Sequence, residues 1–149
     1  MPDIALPDYA YVPGETPRHA EGVFAPYHNS VPPDIGVQEL PSTLAWRAGL
    51  IFFDQGFFWE AHEVLEPVWM ATPRYSAEHQ LVQGIIQLAN AALKAKMNRP
   101  HAAGRLCTKA RDHLRAARSA KGESIMEQDV SRWFERVDSL ERHLEGDTH

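Results

Sequence analysis

Apolar residues recur at helical spacing through most of the chain beyond residue 41. The clearest example is a one-sided stripe near the end of the sequence, formed by Val130, Trp133, Phe134, Val137, Leu140 and Leu144. No segment shows the sustained alternation of apolar and polar residues that is typical of a half-buried strand. The pattern therefore predicts an all-α fold, a small antiparallel bundle of about five helices connected by short loops.

Capping residues and prolines set the expected ends of these helices. Ser42, Thr72 and Ser124 are the expected N-caps of the first, third and fifth helices, because their short polar side chains can accept hydrogen bonds from free N–H groups. Ser124 also begins a Ser-x-x-Glu capping box, and Pro73 and Pro100 suit the first position of a helix. The expected helices span residues 43–54, 57–70, 73–97, 100–120 and 124–144.

The first 41 residues differ in composition from the rest of the chain. Eight of the eleven prolines lie there, with six acidic residues and one basic residue, so this segment carries the whole formal charge of -5. Such a proline density excludes long helices and central strands. We expect an extended acidic arm over residues 1–41 and a helical bundle domain over residues 42–149. The arm is expected to pack on the helices through Tyr9, Tyr11, Phe24 and Tyr27.

Composition also limits the classes of function. The single cysteine, Cys107, excludes an intramolecular disulfide and is expected to be buried as a small apolar residue. The sequence starts without the basic and apolar segments of a secretory leader, and no run is long enough to span a membrane. We therefore expect a cytoplasmic protein with no membrane partner. The pI of about 5.9 argues against nucleic-acid binding, and a homo-oligomer is left open.

The second expected helix carries polar and aromatic residues opposite its apolar stripe. This face holds Trp59, His62, Glu63, Glu66, Trp69 and Met70. Buried carboxylates need partners, and the third expected helix offers His79, Gln80, Gln83 and Gln87 across a short link. Glu60 lies to one side of this cluster and is expected to face solvent or to cap the helix.

Three interpretations of the polar cluster stay open. The first is a hydrogen-bonded network that fixes the packing of the two helices. The second is a site for a small polar ligand or a protein partner, formed by Trp59, His62, Glu63, Glu66, Trp69, Gln83 and Gln87. The third is a divalent metal site in a metal-dependent enzyme, with a hydrolase as the leading reaction class. There His62, Glu66 and His79 would hold the ion, and Glu63 would be the catalytic general base.

Two blocks of sequence carry a family resemblance. Residues 53–69, FDQGFFWEAHEVLEPVW, and residues 83–89, QGIIQLA, resemble the hallmark segments of the domain of unknown function 309 family of small bacterial and archaeal helical proteins. The similarity covers roughly residues 42–115 and leaves the arm outside. It implies an all-α bundle and a motif built on Gly56, Glu60, His62, Glu63, Glu66, Trp69, Gln83 and Gly84. It implies no activity, so the reaction stays open.

Overall fold

Five long helices carry the expected apolar stripes in a computed structural model that describes residues 4–146. They are α2 (Leu44–Asp54), α3 (Phe58–Ala71), α4 (Ala77–Lys96), α5 (Pro100–Lys121) and α6 (Val130–Gly146). Two short helices precede them: α1 (Ala25–Asn29) and a 3₁₀ helix (Val37–Ser42). A short hairpin of two-residue strands, β1 (Ser124–Ile125) and β2 (Gln128–Asp129), separates α5 from α6. The all-α bundle predicted from the sequence is confirmed.

Helix α4 lies at the centre of the bundle, where it packs against α3, α5 and α6. Gly84 allows α4 and α5 to approach closely, because a Cβ atom there would lie only 3.3 Å from the backbone oxygen of Ala110. Cys107 on α5 is completely buried, as expected, and burial raises the pKa of its thiol to about 11. No helix among residues 4–146 is long and apolar enough to cross a bilayer.

The turn between α3 and α4 is longer than the sequence predicts. The expected N-cap Thr72 instead ends α3, where its hydroxyl donates to the backbone oxygen of Trp69 at 2.6 Å. Tyr75 then adopts a left-handed conformation with φ of 64°, which a continuous helix cannot include. Ser76 is the actual N-cap of α4 and accepts a hydrogen bond from the N–H of His79. The expected start of this helix at Pro73 is therefore wrong.

Two smaller corrections concern the other caps. Thr43, rather than Ser42, caps α2 by accepting a hydrogen bond from the N–H of Trp46. The expected capping box at Ser124 forms a hairpin instead, whose two turn residues, Met126 and Glu127, have positive φ angles. The fifth long helix therefore begins at residue 130 and ends at residue 146, later than predicted at both ends.

The proline-rich segment lies over α2 and α3, and it is not extended throughout because α1 and the 3₁₀ helix interrupt it. Phe24 is 7% exposed and packs in an apolar cluster with Phe52 and Ala61. The ring of Tyr27 meets that of Phe52 edge-on, and burial raises the pKa of its hydroxyl. Residues 1–3 of the expected arm and residues 147–149 of the expected domain lie outside the described residues.

Candidate functional site

Helix α3 begins immediately after a glycine turn that sets its direction. Gly56 has φ of +86°, a conformation that side-chain-bearing residues rarely adopt, and the chain reverses there between α2 and α3. The backbone N–H of Phe57 donates to the oxygen of Phe52 across this turn at 2.8 Å. The first turn of α3 thereby brings Trp59 and Glu60 under the proline-rich segment, while later turns carry His62 and Trp69 elsewhere.

Glu60 is the most deeply buried ionisable residue of α3, with 0% exposure. Its Oε2 atom accepts hydrogen bonds from the backbone N–H of Tyr11 at 2.7 Å and from Nε2 of His19 at 2.5 Å. The expectation that Glu60 faces solvent or caps the helix is therefore wrong. A sequence signal existed, because Glu60 lies four residues before the core residue Val64 and hence beside the apolar stripe. The arm that covers it could not be placed from the pattern.

Aromatic rings enclose the imidazole of His19. Tyr9 stacks on it at a centroid distance of 4.6 Å, Phe24 meets it edge-on at 5.1 Å, and Trp59 lies at 5.9 Å. Tyr11 in turn meets Trp59 edge-on at 5.2 Å. The arm is therefore attached to α3 by one buried carboxylate and by the tryptophan beside it.

A second attachment point lies one turn further along α3. Pro67 has no N–H, so the backbone oxygen of Glu63, four residues earlier, lacks its usual helical donor. Nε2 of His28, on α1, donates to this oxygen at 3.1 Å. The same nitrogen lies 3.5 Å from the Glu63 carboxylate. His28 therefore attaches the arm to α3 at the backbone oxygen that Pro67 leaves without a helical donor.

His62 and Glu66 face outward on α3, away from these attachment points. Their Nε2 and Oε2 atoms are 3.7 Å apart, and the Glu66 side chain is 52% exposed. Such an exposed pair at i, i+4 spacing contributes little to stability. These two expected metal ligands therefore lie close to each other in the structure, yet neither is buried.

The far end of α3 forms a separate contact with the start of α4. The rings of Trp69 and His79 stack at 4.7 Å, and Nδ1 of His79 lies 2.8 Å from the hydroxyl of Thr72. Gln80 pairs with His113 of α5 at 2.7 Å, and burial lowers the pKa of His113. These contacts join α3, α4 and α5 without reaching His62.

The longer α3–α4 turn changes the register that the sequence predicts. Among residues 4–146, no hydrogen bond joins Gln83 or Gln87 to His62, Glu63 or Glu66. Within the same described part of the chain, no three His, Cys, Asp or Glu residues form a group that could hold a metal ion. The metal alternative with His62, Glu66 and His79 therefore has no assembled ligand set, and it stays a prediction.

A cleft of about 470 Å³ lies between the arm and α3. Helix α3 contributes Trp59 and Glu63 to its walls. The arm contributes the remaining lining residues, among them Arg18, His19, Glu21, Phe24 and His28. Of the seven ligand-binding residues expected from the sequence, only Trp59 and Glu63 line this cleft.

Comparison with known proteins finds one similarity, to a family of unknown function, in the first part of the helical bundle. Residues 46–106 match the family model described as Domain of unknown function (DUF309). This segment is similar to that family, and the rest of the chain lies outside the match. The resemblance found in the sequence is confirmed, and the DUF309 match includes Trp59, Glu60 and Glu63 but not the arm. No curated protein and no solved structure gives a significant match.

Replacing Glu60 tests the most buried polar contact between the arm and the DUF309 segment. Glu60→Ala leaves the Tyr11 N–H and His19 without their acceptor, so we expect a loss of about 1.5–3 kcal/mol in the free energy of unfolding. The matched control is Glu66→Ala on the same helix, which should change stability by no more than about 0.5 kcal/mol. Denaturant unfolding measures both. Equal losses in the two variants would contradict the burial of Glu60.

The contact between His28 and the carbonyl exposed by Pro67 can be tested by a double-mutant cycle. His28→Ala should cost about 1 kcal/mol in the wild-type background, because the Glu63 oxygen loses its protein donor. Pro67→Ala supplies a helical N–H to that oxygen, so the same change should cost at least about 0.5 kcal/mol less there. Additive effects in denaturant unfolding would show that His28 does not compensate for Pro67.

Proposed function

We propose that this protein binds a small polar ligand in the cleft between the arm and α3. The observation that carries the proposal is the composition of that cleft, in which Trp59 and Phe24 offer aromatic walls and Glu63 and His28 offer polar groups. Aromatic walls with a few placed polar groups are typical of small-molecule sites. The cytoplasmic location expected from the sequence stays a prediction.

The charges around the cleft favour a ligand that carries both signs. Arg18 lines the cleft and has no carboxylate partner among residues 4–146. Glu63 on α3 lines the same cleft, and its side chain is 28% exposed. A ligand carboxylate would pair with Arg18, and a ligand ammonium group would pair with Glu63. A planar ring between them would pack on Trp59, so the proposed ligand class is an aromatic zwitterion of amino-acid size.

The ligand class can be tested with three related probes. Phenylalanine carries both charges, phenethylamine lacks the carboxylate, and 3-phenylpropionate lacks the ammonium group. We expect phenylalanine to bind at least about tenfold more tightly than either analogue, since each charge pair should contribute about 1.4 kcal/mol or more in the partly enclosed cleft. Chemical shifts of the Trp59 indole and of the backbone amides of Glu63 and His28 report the binding.

Two variants assign the charges to the proposed partners. Glu63→Gln should weaken the binding of phenylalanine and phenethylamine without affecting 3-phenylpropionate. Arg18→Gln should weaken the binding of phenylalanine and 3-phenylpropionate without affecting phenethylamine. The matched control is Arg115→Gln on the exposed side of α5, which should affect none of the three probes. The proposal fails if no probe binds at millimolar concentration, or if the shifted amides lie outside the cleft.

A further inference from the structure

The buried carboxylate of Glu60 is satisfied at one oxygen only. Oε2 accepts hydrogen bonds from the Tyr11 N–H and from His19, whereas Oε1 is buried and has no hydrogen-bond partner among residues 4–146. A buried carboxylate oxygen without a donor is costly, because it has lost its hydration without replacement. Oε1 can therefore accept a hydrogen bond from one more donor than the arm supplies.

The surroundings of this carboxylate accept a flat group. The His19 side chain is only 8% exposed and lies among the rings of Tyr9, Phe24 and Trp59. A carboxylate flanked by aromatic rings is typical of sites that bind planar cations and other flat N–H donors. In this structure His19 occupies the site and offers the carboxylate one N–H group.

We propose that Glu60 and Trp59 form a recognition site for a planar N–H donor group, above all a guanidinium, and that His19 is its built-in occupant. A guanidinium presents two parallel N–H groups that match both oxygens of a carboxylate, and its flat face stacks on aromatic rings. It would therefore satisfy the Oε1 atom that the imidazole of His19 leaves without a donor. The DUF309 match supplies Trp59 and Glu60, and the arm outside the match supplies the occupant.

This site adjoins the cleft proposed above for a small zwitterion, because Trp59 and His19 belong to both, but the two tests change different charged residues. The cleft test depends on Glu63 and Arg18, whereas the present inference depends on Glu60 and on the removal of His19. Either proposal can fail without the other. The guanidinium could be a free small molecule or an arginine side chain on an extended chain segment, and the experiment separates these sources.

The first experiment opens the site and refills it with small probes. Full-length His19→Ala protein is melted with imidazole, methylguanidinium or thiazole, a ring of similar size without an N–H donor. Imidazole and methylguanidinium at about ten times their dissociation constants should raise the melting temperature by about 5 °C. Methylguanidinium should produce this rise at a lower concentration than imidazole. Thiazole should have little effect, as should either donor on wild-type protein or on His19→Ala/Glu60→Gln.

The second experiment needs no added ligand and remains informative if the alanine variant is poorly folded. His19→Arg should melt higher than His19→Lys, because both side chains carry a positive charge but only arginine offers a flat two-pronged donor. Adding a fluorescent peptide of residues 5–27 with His19→Arg to the His19→Ala protein then identifies the source. Binding tighter than that of methylguanidinium indicates a chain segment, and equal or weaker binding indicates a free guanidinium compound.

Two results would overturn the inference. Equal stabilisation of His19→Ala by thiazole and imidazole would mean that the site is only a cavity that any small ring fills. A His19→Arg protein that melts no higher than His19→Lys would mean that the second carboxylate oxygen selects no guanidinium.

Discussion

A carboxylate inside a protein interior must receive hydrogen bonds, and Glu60 receives none from its own helix. The chain provides them from Tyr11 and His19, which lie 49 and 41 residues earlier in the sequence. Where the arm covers Glu60, these hydrogen bonds hold a proline-rich segment with a net charge of -5 on the helices. Aromatic residues of the arm pack beside this carboxylate, since the rings of Tyr11 and Phe24 contact the neighbouring Trp59.

The second constraint comes from Pro67, which is unusual inside a helix. It frees the backbone oxygen of Glu63, and His28 of α1 takes the place of the missing donor. The arm is therefore held on α3 at two points about one helical turn apart, Glu60 and Glu63. The cleft between arm and helix is bounded by these same contacts, so the proposed ligand site exists only while the arm is in place.

The fold could be predicted from the sequence because apolar spacing determines helices directly. The five long helices follow from stripes such as that of Val130 and Val137, and errors arose at the caps. Thr72 and Ser124 have the chemistry of N-caps, but the left-handed conformation of Tyr75 and the hairpin at Met126 move both helix starts. Those backbone conformations depend on tertiary contacts that a linear pattern does not show.

The candidate site could be predicted only in part, for a related reason. The sequence correctly singled out α3, but it grouped Glu63 and Glu66 with Gln83 by counting residues outward from a turn assumed to be two residues long. The actual turn runs from Thr72 to Ser76, so that register does not form. Glu60 lies to one side of the polar cluster in the sequence pattern, and that pattern does not show that the expected arm covers it.

Hydrogen exchange at the Tyr11 amide tests the central claim most directly, because this N–H donates to the buried carboxylate. In the full-length wild-type chain we expect it to exchange about a hundredfold more slowly than in an unstructured peptide. Glu60→Ala should abolish that protection while the Ile85 amide in the middle of α4 stays protected. A Tyr11 amide that exchanges freely in the wild type, or that keeps its protection in the variant, would contradict the account.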